Sequence, residues 1–337
     1  MNELRKDPLT GDWLIIGERI GGKRPFEYEV CPFCPGQEYQ TPPTIYTVTD
    51  NDSWLIRVVP DRYPVLQIEG DLNKYGIDMY DRMDGIGAHE IIIESPEHKA
   101  TLGTMSVWHL TRLLDTWQMR IMDLKKDRRF SYVLVFRNQG PATGVFTAHP
   151  YSQVVATPFI PPVIKPHLKH MKMYYELKER CILCDAIAQV RRENSRLIAE
   201  TRNFIALSPF ASRSMYETMI LPCKHYHEFE TQNTRENLEE LARFLKRIIT
   251  AIESLMLENP SHTLIINTSP NLGCEYDAGD QWKTIKEDFH WFIHIMPHPQ
   301  PMSGFERGTG IHTNVLLPEK ATSMLREKLA TIPEDIE

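Results

Sequence analysis

Two cysteine pairs are the residues of this sequence best suited to chemistry. Cys31-Pro-Phe-Cys34 and Cys181-Ile-Leu-Cys184 share one spacing, and histidines follow each pair further along the chain. Zinc prefers four nitrogen or sulfur ligands in a tetrahedron, and two cysteines at this spacing can bind a single ion. We therefore predict two metal sites, each of which needs two histidines to complete it.

The matching histidines follow from a repeat between the two halves of the chain. Glu90 precedes His98 by eight residues and Glu217 precedes His225 by eight, with a proline shortly before each histidine. A later strand of each half supplies the other histidine. The predicted zinc ligands are Cys31, Cys34, His98 and His149 in the first half, and Cys181, Cys184, His225 and His290 in the second.

Two alternatives compete with this assignment. Each cysteine pair could instead be a pair of core or redox thiols, although neither pair is predicted to open a helix inside a βαβ unit. Other histidines are also near, since His227 follows His225 by two residues and His89 precedes His98. A zinc ion with four protein ligands stabilises the fold and does not activate water, so we expect the reactive group beside the metal.

The elements that position these ligands follow the same order in both halves: strands, a helix, then strands. Short β-rich runs predict strands at 13–16, 54–59, 90–94, 132–136, 149–156, 204–207, 218–221, 263–267 and 290–297. Apolar residues at helical spacing predict helices over 106–126 and 234–257.

Prolines indicate where the halves meet. The segment 161–166 contains Pro161, Pro162 and Pro166, which favours a linker because proline interrupts helices and central strands. We predict an α+β protein of two modules, each an antiparallel sheet with packed helices and a Cys2His2 zinc site. The predicted boundaries are 1–160 for the N-terminal module, 161–178 for the linker and 179–337 for the C-terminal module.

Composition excludes some classes of partner. The chain of 337 residues carries a formal net charge of −7, whereas a dedicated nucleic-acid-binding protein normally presents a basic surface. A zinc-ribbon nucleic-acid binder is therefore disfavoured, and we expect no nucleic-acid partner. We also expect no membrane partner and a cytoplasmic location, because no apolar run approaches the roughly 20 residues of a membrane span.

Further polar groups lie beside His149. Glycine and proline in the segment 138–144 give a backbone that can approach a phosphate closely. Side chains alternate along a strand, so His149, Tyr151 and Gln153 should share one face. One face could thus carry a metal ligand, a reactive group and a phosphate contact.

Together these residues resemble the galactose-1-phosphate uridylyltransferase family, part of the histidine-triad superfamily. The motifs that carry the resemblance are Arg5-Lys-Asp-Pro-Leu-Thr-Gly-Asp-Trp13, Cys31-Pro-Phe-Cys-Pro-Gly36, Arg57-Val-Val-Pro-Asp-Arg-Tyr-Pro64, Asn138-x-Gly140 and His149-Pro-Tyr-Ser-Gln153. Phe289-His-Trp-Phe-Ile-His-Ile-Met-Pro297 and Gly304-Phe-Glu-Arg-Gly-Thr-Gly310 are most similar to its nucleotide-sugar phosphorylase branch.

The resemblance implies two histidine-triad-like modules and a specific reaction. The family's enzymes exchange a nucleoside monophosphate between a nucleotide sugar and a sugar 1-phosphate or phosphate, often as homodimers. The family's zinc ligands fall on the same eight residues as those that the repeat selects. Nucleotide sugar and sugar phosphate are therefore the expected partners, and two zinc ions per chain are the expected cofactors.

The residue at the family's catalytic position is different here. The family pattern is His-x-His-x-Gln, in which the middle histidine attacks the α-phosphorus, and this chain has Tyr151 in the middle. A neutral imidazole has a lone pair near pH 7, whereas a phenol with a pKa of about 10 must first lose a proton. Tyr151 and Gln153 are the predicted catalytic residues, with Tyr151 a nucleophile, a non-covalent positioning group or a packed aromatic.

The other candidate contacts are carried over from the family's motifs. The predicted substrate-binding residues are Asp61, Arg62, Asn138, Ser152, His294, Phe305, Glu306 and Gly308. Arg19, Lys23 and Arg24 are further phosphate partners or surface charges, and His294 is either a general acid, a ligand contact or a core group. Phe146 replaces the phosphate-binding serine that is usual in the family, and Asp61 replaces an asparagine.

We therefore predict a nucleotidyltransferase of this type. The alternative is a catalytically silent, zinc-containing homologue that binds a nucleotide. The sequence leaves open whether the base is uracil or adenine, and which sugar is attached.

Overall fold

A ten-stranded antiparallel sheet forms the centre of the structure, a computed structural model that describes residues 2–17, 30–145, 147–231, 234–256, 260–275, 282–298 and 303–334. In spatial order its strands are β10 (Leu197–Glu200), β11 (Phe204–Leu207), β12 (Thr218–Pro222), β14 (Phe292–Pro297), β13 (His262–Asn267), β8 (Tyr132–Gln139), β9 (Tyr151–Thr157), β7 (Ala88–Ile93), β4 (Ser53–Pro60) and β3 (Tyr46–Asp50).

The two halves of the chain are joined in the middle of this sheet. Strand β8 of the first half pairs with β13 of the second half, in a register that places Gln139 opposite His262 and Val135 opposite Ile266. The backbone hydrogen bonds therefore continue from one half into the other. A residue on β13 can consequently support a residue on β8 directly.

A separate four-stranded sheet is formed by the N-terminal residues. Its spatial order is β2 (Trp13–Ile16), β1 (Glu3–Lys6), β6 (Tyr80–Asp84) and β5 (Tyr75–Ile77). Leu4 and Met83 from this sheet are buried in the main hydrophobic core.

Seven helices accompany the sheets in the described part of the chain. They are α1 (Val107–Leu124), α2 (Ile164–Lys178), α3 (Ile182–Glu193), α4 (Arg235–Leu255), α5 (Ile285–Asp288), α6 (Gly304–Thr309) and α7 (Pro318–Leu329). The hydroxyls of Ser106 and Thr234 cap α1 and α4 by accepting hydrogen bonds from backbone N–H groups of the first turn. These two long helices contact each other, and their apolar faces, including Trp117 and Leu241, are buried in the core.

The α+β class, the antiparallel sheet and the two long helices agree with the sequence predictions. The division into two modules stays a prediction, since one sheet crosses the predicted boundary. Most of the predicted linker is helix α2, which tolerates Pro166 because this residue lies in the first helical turn, where no intrahelical N–H bond is lost.

The second cysteine pair opens helix α3, with Cys181 as its N-cap and Cys184 in its first turn. Since α3 follows helix α2 and not a strand, this pair does not lie in a βαβ unit, in agreement with the prediction. One local expectation was wrong. The strand predicted from 149 begins at Tyr151, so His149 lies just before β9. Among the described residues, no helix has the length and apolar character needed to cross a bilayer.

Candidate functional site

The eight predicted zinc ligands lie in two compact groups. Within each group the candidate ligand atoms all lie within 4.8 Å of one another. In the first group the Cys34 sulfur lies 3.3 Å from Nδ1 of His98 and 3.7 Å from Nδ1 of His149. In the second, the Cys184 sulfur lies 3.4 Å from Nδ1 of His225 and 3.5 Å from Nδ1 of His290.

Backbone carbonyl groups orient three of these histidines. Nε2 of His149 lies 2.7 Å from the carbonyl oxygen of Ser95. In the second group, Nε2 of His225 lies 2.9 Å from the carbonyl oxygen of Lys286, and Nε2 of His290 lies 3.1 Å from that of Pro222. A carbonyl oxygen only accepts, so each Nε2 carries the proton and the Nδ1 lone pair faces the thiols. This is the usual second layer of contacts around a histidine that binds a metal.

The titration behaviour of the ligands also fits a metal. Burial and the neighbouring Cys31 raise the pKa of Cys34 to about 11, and the hydrogen bond with Cys181 together with burial raises that of Cys184. Two adjacent thiols therefore resist losing both protons unless a cation is present. Burial lowers the pKa of His149 to about 4, which keeps its imidazole neutral at pH 7, as metal binding requires.

Tyr151 lies between the first metal group and the sheet. Its side chain is 3% exposed and packs with Val59, Ile91 and Ile93. Phe33, which lies between the two cysteines of the pair, contacts Tyr151 edge to face at 5.8 Å between ring centroids. The turn that contains the first cysteine pair thus covers Tyr151.

Gln153 is part of a small polar cluster on the same face. Its side-chain oxygen lies 2.9 Å from Nε2 of His89, and the Asp61 carboxylate lies 3.4 Å from the same nitrogen. Asp61 and His89 are both buried. The sequence analysis placed His89 only as a weaker ligand, although the alternation of β7 sets His89, Ile91 and Ile93 on one face.

Ser152 lies on the opposite face of the sheet. It is fully buried, and its hydroxyl accepts a hydrogen bond of 2.8 Å from the indole N–H of Trp117 on α1. The structure therefore places this predicted substrate contact in the core, away from Tyr151 and Gln153. The physical reason is the same alternation that puts Tyr151 and Gln153 together.

A cleft of about 700 Å³ opens beside the first metal group. It is lined by His98 and His149, by Asn138 at the end of β8, and by the turn that follows, including Gly140. Gly140 has φ of +82°, and an added Cβ would lie 2.4 Å from the hydroxyl oxygen of Ser261. This turn therefore requires glycine for its conformation and for its close approach to Ser261.

The second half of the chain supports this turn. The Ser261 hydroxyl accepts a hydrogen bond from the Ala142 backbone N–H at 3.2 Å, and the Thr263 hydroxyl donates to the Asn138 side-chain oxygen at 2.9 Å. Ser261 precedes β13 and Thr263 lies within it. The sequence analysis missed both residues, because their role depends on the pairing of β8 with β13.

A second, smaller pocket lies beside the cleft, and Pro32 lines both. It is lined by Asp61, Arg62, Tyr63 and apolar residues of the first metal-binding turn and of β4 and β7. Arg62 is exposed, and its guanidinium lies 5.9 Å from the centre of the Tyr63 ring. The structure thus places Asp61 and Arg62 together in the smaller pocket, and neither residue lines the larger cleft.

The predicted substrate-binding residues of the second half lie away from both pockets. Nε2 of His294 lies 2.6 Å from the buried carboxylate of Glu217. Burial alone would raise the pKa of Glu217, but the hydrogen bond and the charge of His294 outweigh burial, so the pKa of Glu217 is lowered overall. Phe305, Glu306 and Gly308 lie in α6, where Ser303 and Glu306 form a capping box. Neither pocket is lined by His294 or by the described residues of α6. The same holds for Tyr151, Ser152 and Gln153 on β9. Arg19, Lys23, Arg24 and Phe146 fall outside the described residues.

Comparison with known proteins gives consistent matches along the whole chain. Residues 5–161 match the family model described as galactose-1-phosphate uridyl transferase, N-terminal domain. ADP-glucose phosphorylase of Arabidopsis thaliana is 30% identical over 340 residues, which span 96% of this chain and 92% of that protein. Galactose-1-phosphate uridylyltransferase of Thermotoga maritima is 27% identical, across 97% of this chain and 98% of that protein.

Solved structures match over a similar extent. The crystal structure of ADP-glucose phosphorylase from Arabidopsis thaliana with bound ADP-glucose has a TM-score of 0.77 at 30% identity and covers 97% of this chain and 99% of that one. A uridylyltransferase structure that is 23% identical, with a TM-score of 0.81 over 97% of this chain and 98% of that one, shares the fold. With 30% identity to a relative over nearly its whole length, the chain belongs to the galactose-1-phosphate uridylyltransferase family of nucleotidyltransferases.

Proposed function

We propose that this protein transfers a nucleoside monophosphate between a nucleotide sugar and a sugar 1-phosphate or phosphate, with Tyr151 at the position of the family's nucleophile. The observation that carries this proposal is a small pocket beside a larger cleft, with Pro32 in the lining of both and with Phe33, which contacts Tyr151, in the lining of the small pocket. A nucleotide sugar also has two parts, a nucleoside and a sugar phosphate, one for each of these cavities. The Arabidopsis relative solved with ADP-glucose supports this substrate class.

The two parts of the substrate have different requirements. The smaller pocket suits the nucleoside, because Asp61 can accept from a ribose hydroxyl and Tyr63 offers an aromatic surface. Arg62 at its edge can bind a phosphate oxygen. The larger cleft suits the sugar phosphate, with Asn138 and the turn around Gly140 as its contacts.

The two Cys2His2 groups are proposed to hold one zinc ion each. Zinc suits them because they offer two thiolates and two neutral imidazoles, and zinc sites with four protein ligands have a structural role. The ion of the first group would fix the turn that contains Phe33 and so the packing around Tyr151. The chemistry of transfer then depends on the protein's own side chains.

In the covalent route, the Tyr151 oxygen forms a bond to the α-phosphorus while the bond from that phosphorus to the departing sugar phosphate breaks. The phenol proton passes to the departing phosphate group. In the second step, an oxygen of the acceptor phosphate attacks the same phosphorus, the tyrosyl ester bond breaks, and the phenol regains a proton. A phenol is mostly protonated near pH 7, so slow transfer is expected.

A catalytically silent homologue that binds a nucleotide is the second candidate. The burial of Tyr151, which is 3% exposed within an apolar cluster, favours this candidate because a packed aromatic side chain needs no chemical role. Its binding surfaces would be those described for the enzyme. The two candidates therefore differ in whether a covalent bond to Tyr151 ever forms.

Intact mass and peptide mapping distinguish the two candidates. The protein is incubated with UDP-glucose or ADP-glucose, and binding is measured in parallel by calorimetry. A nucleotidyl adduct on the Tyr151 peptide is expected, and it should be absent in Tyr151→Phe, which keeps the ring packing and loses the hydroxyl. Binding without an adduct in the wild type would support the silent homologue and contradict covalent transfer.

A homodimer is also proposed, from the resemblance to the family. Sedimentation velocity at micromolar concentration tests this assembly directly. A monomer at all concentrations would contradict it.

A further inference from the structure

We infer that His89 is a positioning residue that fixes the orientation of the Gln153 side-chain amide and turns its nitrogen toward the phosphate of the ligand. The inference rests on the proposed function for the identity of that phosphate. It depends on three contacts of the His89 ring, which lies on β7 beside Gln153 of β9.

The tautomer of His89 follows from its contact with the backbone. The Val65 backbone N–H donates to Nδ1 of His89 at 3.2 Å. A nitrogen that accepts a hydrogen bond carries no proton, so the proton of the neutral ring is on Nε2. The groups around Nε2 agree, because both the Asp61 carboxylate at 3.4 Å and the Gln153 oxygen at 2.9 Å are acceptors.

The orientation of Gln153 follows from this tautomer. Since Nε2 of His89 donates, the group of Gln153 that faces it at 2.9 Å is the carbonyl oxygen. The amide nitrogen then lies on the other side of the amide carbon, directed away from the imidazole. If the amide were reversed, two N–H donors would meet and one of them would be unsatisfied in a buried place.

The His89 ring itself is well held. It is 8% exposed, and the residues that contact it come from the segment after β4 and from β9. The Asp61 carboxylate beside it also accepts the Tyr63 backbone N–H at 2.8 Å. The ring therefore has little freedom to rotate, and it can hold the Gln153 amide in one orientation.

The chemical consequence concerns an anionic ligand. An amide nitrogen donates to a phosphate oxygen, whereas an amide oxygen in the same place would repel it. His89 thus decides whether Gln153 attracts or repels the phosphate, although His89 itself makes no contact with the ligand.

Three variants test this role by calorimetry with UDP-glucose and ADP-glucose. His89→Leu removes the donor and should weaken nucleotide-sugar binding about tenfold or more. His89→Gln carries an amide nitrogen that can reach the Nε2 position, so it should recover binding to within about threefold of the wild type. Gln153→Ala should weaken binding to a similar extent as His89→Leu.

A double variant then separates positioning from a general loss of structure. If His89 acts through Gln153, adding His89→Leu to Gln153→Ala should cause little further loss. An equal loss in the two backgrounds would overturn the inference, as would failure of His89→Gln to recover binding while the variant remains folded.

A measurement without ligand keeps the inference distinct from the proposed function. Long-range proton–nitrogen NMR should show the His89 proton on Nε2 and not on Nδ1. The Gln153 side-chain amide signal, assigned with Gln153→Ala, should shift in His89→Leu and be kept in His89→Gln. A proton on Nδ1 would contradict the positioning role, whereas absent nucleotide-sugar binding with these signals as expected would contradict only the proposed function.

Discussion

At the scale of single residues, the central question is the proposed role of Tyr151 at the position of the family's catalytic histidine. A phenol is a weaker nucleophile near pH 7 than an imidazole, because it must first lose a proton. The residues around it, including His89 and Gln153, still form an ordered polar group. Under the proposed function, the reactive atom differs from that of the family, while the contact between His89 and Gln153 is present beside it.

Tyr151→His tests whether the remainder of the site is competent. An imidazole at this position would be available as a nucleophile without a strong base, so we expect transfer at least about tenfold faster than in the wild type. The measurement is the initial rate of nucleotide-sugar formation, with Tyr151→Phe as the control for loss of the hydroxyl. A Tyr151→His variant that binds substrate and remains no faster would contradict an intact site.

Each metal group should lose its ion independently. Cys34→Ser should reduce the zinc content from about two ions per chain to about one, and Cys184→Ser should do the same for the second group. Mass spectrometry of metals in protein purified without added zinc measures this directly. Wild-type protein with one ion or none per chain would contradict the duplicated site.

At the scale of elements, the repeat between the halves was informative where it concerned the metal ligands. The eight residues selected by spacing lie in two groups, because cysteine pairs and histidines after matching strands occupy matching places. The shared spacing of Glu90 and Glu217 helped to select His98 and His225, but the two glutamates are not equivalent in the structure. Glu90 pairs with Arg120 in the core, whereas Glu217 pairs with His294.

Strand register explains this difference. Gln153 and His294 are equivalent, since each stands four residues after a histidine of its Cys/His group. Gln153 lies opposite Ile91 and His294 lies opposite Met219. Two residues before each of these partners, His89 of the first half therefore corresponds to Glu217 of the second. The segment from His89 to His98 in the first half is one residue longer than the segment from Glu217 to His225 in the second half. A shift of one residue reverses the face of a strand, and no count along the sequence shows which connection contains it.

The turn after β8 depends on glycine at Gly140. Alanine there would have an unfavourable φ of +82° and a Cβ 2.4 Å from the Ser261 hydroxyl, so Gly140→Ala should cost about 2 kcal/mol or more and displace the turn. Gly144→Ala is the control, since its φ is also positive but an added Cβ has no atom within 4 Å. Denaturant unfolding and substrate affinity measure the two effects, and equal losses in both variants would contradict the close approach to Ser261.

At the scale of the whole molecule, the two halves depend on each other through the pairing of β8 with β13. Ser261 and Thr263 of the second half hold the turn that lines the cleft of the first half. Local patterns in the sequence predicted most strands and both long helices, but they contain no information about which strands of different halves pair. The support for the cleft could therefore be known only from the three-dimensional arrangement.

His262 on β13 should make stability depend on pH. Burial and the nearby Arg137 lower its pKa from 6.5 to about 3, so between these values the unfolded chain binds a proton that the folded chain does not. Stability is therefore lost as the pH falls, and this group alone contributes a loss of up to about 2 kcal/mol between pH 7 and pH 5. Denaturant unfolding of His262→Leu should show a pH dependence smaller by this amount, and an unchanged dependence would contradict the assignment.

The central claim is that the protein transfers a nucleoside monophosphate, and isotope exchange tests it most directly. Labelled glucose 1-phosphate is incubated with unlabelled UDP-glucose or ADP-glucose and the protein, and the label in the nucleotide sugar is followed over time. We expect slow exchange in the wild type, faster exchange in Tyr151→His and none in Tyr151→Phe. Absence of exchange in the wild type, with nucleotide sugar bound and two zinc ions present, would contradict the central claim.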